Sequence, residues 1–346
     1  MNLSDLGGWP AVLGPLTAGR DLGWDEVTAA ITEILDGTAR PAQIAAFAVG
    51  LRMKGETVEE MSALLDVMRA FGERVELAAD THAVDTCGTG GDRSCTINAS
   101  TVAALVVAGA GAKVCKHGNR SQSSQCGSAD LLEALGVTID LAPGAVAGCV
   151  DRVGMGFCFA PRYHPAFRHV GPVRRELGVP TVFNFLGPVA NPARVRRQVL
   201  GVSDPAMAEK LLGVLQAQGS ERALVVYGHD GLDELSTITT STVLELRDGD
   251  VRSYDVDPTA LGLKPATLGD IQGGDPPTNA DWARRILDGE PGARREFVLL
   301  NAAAGLVAAG VAEDLPEGLA AATASVDEGA AAGVLDGLVG ESNKGG

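Results

Sequence analysis

The sequence predicts an α/β protein: a small N-terminal helical domain, then a large α/β domain whose central mixed or parallel sheet is flanked by helices. Three observations predict it. Apolar residues recur at helical spacing through residues 1–72. From Val84 to Val137 the chain reads as strand, glycine loop, helix, strand, polar loop, helix. After a short β-hairpin, the last third returns to helical runs. The 346 residues allow one large or two ordinary domains and a sizeable core.

In the first domain, placed at 1–72, Val27, Ile31 and Leu35 share a helical face, as do Ile44, Phe47, Ala48 and Leu51, then Met61, Leu64, Leu65 and Met68. Thr57 and Glu60 fit a capping box at the start of the last of these helices. Residues from Gly72 to Asp85 read as a hinge into the second domain, 73–340, and 341–346 as a disordered tail.

The second domain opens with a short apolar strand ending near Cys87. Gly88-Thr89-Gly90-Gly91-Asp92 then turns sharply and can bring its N–H groups close to an anion. Ser100-Thr101 opens an apolar helix through Val102–Ala110, whose positive end favours the same anion. Lys113-Val114-Cys115 makes a second strand, and Lys116-His117-Gly118-Asn119-Arg120-Ser121 leaves it as a loop, with Ser123, Ser124 and Ser128 close behind. Two polar loops after two parallel strands meet at one sheet edge, where open α/β folds bind ligands. A tight turn alone would explain the first loop. The cations and hydroxyls of the second, all suited to phosphate oxygens, favour an anion site.

Asp130–Gly136 and Pro143–Val153 read as helices, followed by the apolar stretch Gly156–Ala160. Pro172 suits the first turn of a helix carrying Arg174, Arg175 and Glu176. Thr181–Leu186 and Gln198–Val202 read as strands, Ala206–Gln218 as a helix and Ala223–Tyr227 as a buried strand. The loop Gly228–Ser236 carries Asp233-Glu234, adjacent carboxylates suited to Mg²⁺, although an acidic surface turn is the ordinary alternative. Residues 243–254 suggest a hairpin around Asp248-Gly249, and Asn279–Leu287, Arg294–Ala309 and Leu319–Leu338 suggest helices.

Lys plus Arg number 28 and Asp plus Glu 44, a formal charge of −16 that disfavours general binding to nucleic acid or anionic membrane. The six cysteines form no CxxC pair and have no histidines at zinc-site spacing. No secretory signal is evident at the N-terminus, and the apolar runs are too short to span a bilayer. A cytoplasmic protein with reduced thiols is expected.

The segments GTGGD, INAST, KHGNRS and GSADLLEALG closely resemble the anthranilate phosphoribosyltransferase family of tryptophan biosynthesis. The resemblance continues in the family's order through HPAFRHVGPVRRELGVPTVFNFLGPVANP, GLDELS and GGDPPTNADWARRILDG. It implies transfer of phosphoribosyl from phosphoribosyl pyrophosphate (PRPP) to anthranilate with Mg²⁺, two ions being expected. It places PRPP against Gly88, Gly91, Asp92, Thr96, Asn98, Ser100, Thr101, Lys116, Ser124 and Ser128. Anthranilate falls to Gly88, Asn119 and Arg174, and the metal to Ser100, Asp233 and Glu234. His117 would line the anthranilate path, and a general-base role for it stays open beside a structural one. Arg175 competes with Arg174, and helix N-capping alone would account for Asn98 and Ser100. The resemblance also implies a homodimer through the helical domain, onto which helices around 166–190 pack back. Arg93-Ser94-Cys95 and Cys126 depart from the family pattern. A pyrimidine nucleoside phosphorylase and a non-catalytic nucleic-acid-binding relative are the competing readings. The acidic charge and the Asp233-Glu234 pair speak against them.

Overall fold

The computed structural model describes residues 2–92, 94–121 and 125–344. Four helices open the chain: α1 (Trp9–Thr17), α2 (Trp24–Leu35), α3 (Pro41–Lys54) and α4 (Val58–Ala70). The capping box at α4 forms as expected, with Thr57 Oγ1 accepting from the Glu60 N–H at 3.1 Å and Glu60 accepting from the Thr57 N–H at 2.9 Å. Glu60 is buried and also accepts from the Leu22 N–H at 2.8 Å and from Lys54 Nζ at 2.9 Å. One carboxylate thus ties the corner before α2 to the start of α4.

The second domain runs β1 (Ala83–Gly88), α5 (Ala99–Gly109), β2 (Lys113–Gly118), α6 (Ser128–Ala134), α7 (Pro143–Val153), β3 (Met155–Phe159), α8 (Ala160–Tyr163), α9 (Gly171–Leu177), α10 (Val182–Val189), β4 (Arg197–Gly201), α11 (Ala208–Ala217), β5 (Arg222–Gly228) and β6 (Ser241–Arg247). It closes with β7 (Asp250–Val256), α12 (Leu268–Ile271), α13 (Pro276–Leu287), α14 (Ala293–Ala309), α15 (Leu315–Asp327) and α16 (Ala330–Ser342). The seven strands form one sheet in the order β3-β2-β1-β4-β5-β6-β7. The first five are parallel, and β6 and β7 add the antiparallel hairpin. The parallel strands are buried on both faces, as strands covered by helices must be.

Side-chain alternation divides the sheet between two cores. On β5, Leu224 and Val226 join the core made with α5, α14, α15 and α16. Ala223 and Val225 face the other way, into a core shared with α11, α10 and the N-terminal helices. Both α9 and α10 contact α3. The N-terminal helices and the sheet's second face therefore share one apolar interior, in which Phe47, Val173, Phe183, Leu186 and Leu211 are buried together.

Four segments differ from the sequence reading. Val182–Val189 is helical, where Thr181–Leu186 reads as a strand. Asn184 caps the Thr181 N–H at 3.1 Å, and Val182, Phe183, Phe185, Leu186 and Val189 are buried around the helix. A short run of aromatic and β-branched residues does not by itself separate helix from strand. Lys116 and His117 lie within β2 and not in a loop. The run expected at 319–338 is two helices, broken where Gly329 takes a φ of 75°. The tail expected to be disordered from 341 is ordered as far as it is described. Ser342 ends α16 and accepts from the Thr138 N–H at 3.1 Å, and Asn343 donates to the Gly136 carbonyl at 3.0 Å.

Two outcomes follow from buried groups in the helical domain and behind β3. Glu60→Ala strands the buried Leu22 N–H, removes the α4 capping box and takes one of two carboxylates from Lys54, which keeps Asp21 at 2.7 Å, and should cost about 2–3 kcal/mol in denaturant unfolding. His164 is buried, donates through Nε2 to the Ala190 carbonyl at 2.9 Å, and is pushed down to about 4 by burial. Above its ordinary value of 6.5 its contribution is complete; toward pH 4 the unfolded state takes up a proton that the folded state refuses, and stability falls. Across that window the wild type should lose about 3 kcal/mol more than His164→Gln, measured by urea unfolding.

Candidate active site

The site is built where β1, β4 and β5 end. Gly88 is the last residue of β1 and pairs with Gly201, the last of β4. The turn after β5 lies directly on these two glycines. A Cβ at Gly88 would stand 2.3 Å from Asp233 Oδ2, and one at Gly201 would stand 1.5 Å from the Asp233 carbonyl oxygen. Only glycine at both places lets the acidic turn seat there.

The glycine loop is tied down from two sides. Ser203, just past β4, donates its hydroxyl to the Gly90 carbonyl at 2.7 Å and its N–H to Thr89 Oγ1 at 3.1 Å. Asp233 Oδ2 accepts the Gly90 N–H at 2.7 Å. Gly90 and Gly91 have φ of 65° and 88°, a backbone that favours glycine. Asp92 closes the loop by accepting from the Ser94 N–H and hydroxyl.

Glu234 reaches the start of α5, where its Oε1 accepts the Ser100 N–H at 3.1 Å. The adjacent carboxylates therefore hold one amide of the loop and one of the helix start, both donors of the kind an anion would use. Their environment disfavours charge. Burial, then the Asp92 carboxylate, pushes Asp233 up to about 6, and burial with Asp233 and Asp92 raises Glu234 well above its ordinary value. Such an all-oxygen, cation-poor set fits a hard divalent ion. Among the described residues no three His, Cys, Asp or Glu side chains gather closely enough to hold a metal unaided. Oxygens from Ser100 and from a bound phosphate would have to complete its shell.

The other residues singled out from the sequence occupy three further places. Thr96 bridges to Gln272, and the Ile97 N–H donates to the Ile271 carbonyl at 3.0 Å, so the strip where α12 ends fixes the far side of the loop. Asn98 stands at the start of α5, yet its side chain does not cap the helix. It donates to the Cys126 carbonyl at 2.9 Å and accepts from Asn279 Nδ2 at 2.9 Å, linking both loops to α13. Thr101 is buried with its hydroxyl unpartnered among the described residues.

Lys116 is buried in β2, not at the loop mouth, and its Nζ donates to the Thr86 carbonyl. Burial lowers its pKa, against Asp85, Cys87 and Glu234, which raise it. His117 is buried beside His164, ring centroids 5.2 Å apart, and burial then His164 hold it well below its ordinary value. Its ring is neutral and a poor base. The Asn119 carbonyl accepts from the Ser128 hydroxyl at 3.2 Å. Ser124 lies outside the described residues. Tyr163 is core, its hydroxyl donating to the Leu141 carbonyl at 2.9 Å, while Phe167 continues the ring contacts from His164 to Phe183.

Arg174 sits on α9, on the helical-domain side. Its guanidinium is half-buried, burial lowers its pKa, and among the described residues no carboxylate pairs with it. Arg175 is exposed. The structure thus unites Gly88, Gly91, Asp92, Ser100, Asp233 and Glu234 and sets Lys116 beneath them, while among the described residues no hydrogen bond or ion pair joins the Arg174 side chain to this group. Sequence reasoning missed Asp85, Asn191, Ser203 and Asn279. A lone Asp within an apolar strand was the one available signal, and the others are visible only through partners distant in sequence.

Two family models match the chain: the glycosyl transferase family helical bundle domain over residues 10–72 and the glycosyl transferase family a/b domain over residues 80–332. The anthranilate phosphoribosyltransferase of Rhodococcus jostii is 51% identical over 94% of this chain and 91% of its own length. That of Roseiflexus castenholzii is 51% identical over 94% and 95%. Among solved structures, the Thermus thermophilus anthranilate phosphoribosyltransferase superposes with a TM-score of 0.90 at 40% identity, covering 96% of this chain and 99% of that one. The Saccharomyces cerevisiae enzyme in complex with PRPP and Mg gives 0.89 at 26% identity, covering 97% and 98%. With the helical bundle and the α/β domain matched in order and half the residues identical across both, the chain belongs to the anthranilate phosphoribosyltransferase family.

Proposed function

We propose that this protein transfers phosphoribosyl from PRPP to the amine of anthranilate, releasing pyrophosphate, as a step of tryptophan biosynthesis. The observation that carries the reading is the acidic turn seated on Gly88 and Gly201, holding the Gly90 and Ser100 amides, in a chain 51% identical to named anthranilate phosphoribosyltransferases. The bond broken joins the ribose anomeric carbon to pyrophosphate, so negative charge grows on the leaving group. The protein must neutralise that charge and align the amine.

The Gly88–Asp92 backbone and the α5 start, with Ser100 and Thr101, supply donors to the diphosphate, and the helix dipole adds to them. Asp233 and Glu234 accept two of those amides. A diphosphate competing for them frees the carboxylates for a cation, which Asp233, Glu234 and Ser100 would hold. Mg²⁺ there would neutralise phosphate charge; two ions are the number we propose. Thr96, Asn98, Lys116, Ser124 and Ser128 complete the PRPP site, Lys116 acting as a charge set beneath the loops. Asn119 and Gly88 border anthranilate, and Arg174 takes its carboxylate, a half-buried fork that has no counter-charge among the described residues. His117 shapes the path to the site and is not assigned a proton. A homodimer forms through the helical domain, where Trp24 and Met53 are exposed. The protein works in the cytoplasm, without nucleic acid or membrane; among the described residues no helix is long and apolar enough to cross one.

The reaction is tested by following anthranilate fluorescence with PRPP and Mg²⁺. Loss should need all three and match pyrophosphate release; no loss with folded protein refutes the assignment. Asp233→Asn with Glu234→Gln keeps acceptors for both amides while removing two repelling charges. The pair of changes should abolish Mg²⁺-dependent turnover yet raise the melting temperature of the unliganded protein. An unchanged Mg²⁺ titration would remove these residues from the reaction. Arg174→Ala should raise the KM for anthranilate by about tenfold or more, and Arg175→Ala by far less. The opposite ranking would shift the carboxylate contact by one residue.

A further inference from the structure

The seam between β1 and β2 parts early. Their ladder pairs Ala83 with Lys113 and Val84 with Val114, whereas β1 stays paired with β4 as far as Gly88 and β2 with β3 as far as Gly118. Polar side chains fill the opening. The Asp85 carboxylate, fully buried, accepts the His117 N–H at 3.1 Å on one oxygen and Asn191 Nδ2 at 2.7 Å on the other. Asn191 Nδ2 also donates to the Cys115 carbonyl at 2.8 Å, and its Oδ1 accepts the Ala193 N–H at 2.8 Å. Lys116 Nζ donates across the seam to the Thr86 carbonyl.

We infer that Asp85 is a positioning residue: anchored by His117 and Asn191, its carboxylate holds the buried Lys116 ammonium as a fixed positive charge under the two substrate loops. Asp85 lies three residues before Gly88, about 10 Å down the strand at roughly 3.3 Å per residue, too deep to touch substrate. An isolated ammonium in this interior is strongly disfavoured unless a counter-charge is close. Asp85, Cys87 and Glu234 are the groups whose charge acts on Lys116. Lys116 Nζ reaches the carbonyl of Thr86, next to Asp85, and Asp85 accepts the N–H of His117, next to Lys116, without a direct ion pair between the two side chains. Cys87 is held in its neutral form by burial, and Glu234 is already turned to Ser100. Asp85 is the one carboxylate in the set whose two oxygens are fixed by donors on both sides of the seam. Burial pushes it up to about 6, with Lys116 the largest opposing influence. The inference rests on reading Lys116 as part of the PRPP site.

The test compares wild type with Asp85→Asn, Lys116→Met and the double variant. Asp85→Asn preserves shape and one acceptor but removes the charge. It should weaken binding of inorganic pyrophosphate with Mg²⁺, read by calorimetry, by about tenfold or more. The KM for PRPP should rise similarly while that for anthranilate stays within about twofold, a split that a general loss of structure would not give. The double variant should bind pyrophosphate no worse than Lys116→Met alone and should melt above Asp85→Asn. This holds even if Asp85→Asn does not fold, because removing the stranded ammonium restores the fold. Multiplying losses in pyrophosphate binding, equal changes in both KM values, or a double variant melting below both singles would overturn the inference. Melting and pyrophosphate binding need no turnover, so a wild type that fails to consume anthranilate refutes the assigned reaction and not this pairing.

Discussion

Two carboxylates accepting two backbone amides from different segments is the arrangement on which the rest of the site depends. Asp233 fastens the glycine loop and Glu234 fastens the start of α5. Neither could do so if the turn that carries them stood higher over the sheet. Its seat is set by the missing side chains of Gly88 and Gly201. The arrangement is also under electrostatic tension, since Asp92, Asp233 and Glu234 repel one another where water is scarce. On the proposed function, a ligand that brings cations and takes over the amides would relieve that tension. The fold tolerates the tension because the surrounding helices and strands are continuous apolar packing.

Much of this was legible in the sequence. The glycine loop, the helix that follows it, the Asp233-Glu234 turn and the hairpin are local signals, and each formed within a residue or two of its expected bounds. The capping box of Thr57 and Glu60 was equally local. What escaped depended on distant partners. Lys116 looks like a loop cation because it is polar; it is a strand residue paired with β3, and the Thr86 carbonyl receives its ammonium. Asn98 looks like a helix cap, but the Cys126 carbonyl and Asn279, far along the chain, take its side chain. Thr181–Leu186 looks like a strand until the N-terminal helices supply a surface for the apolar side chains of a helix there.

The same surface has a consequence for how the chain is made. The N-terminal helices do not enclose their own core: α9, α10 and α11 supply part of its wall. Those helices are encoded roughly a hundred residues later. At roughly 5–20 residues per second, the bundle waits on the order of ten seconds beside the ribosome before α10 can close it. During that interval its apolar wall has no native partner from this chain. The order of synthesis thus leaves the nascent bundle exposed to chaperones, or to the bundle of a neighbouring nascent copy, before the sheet that completes it exists.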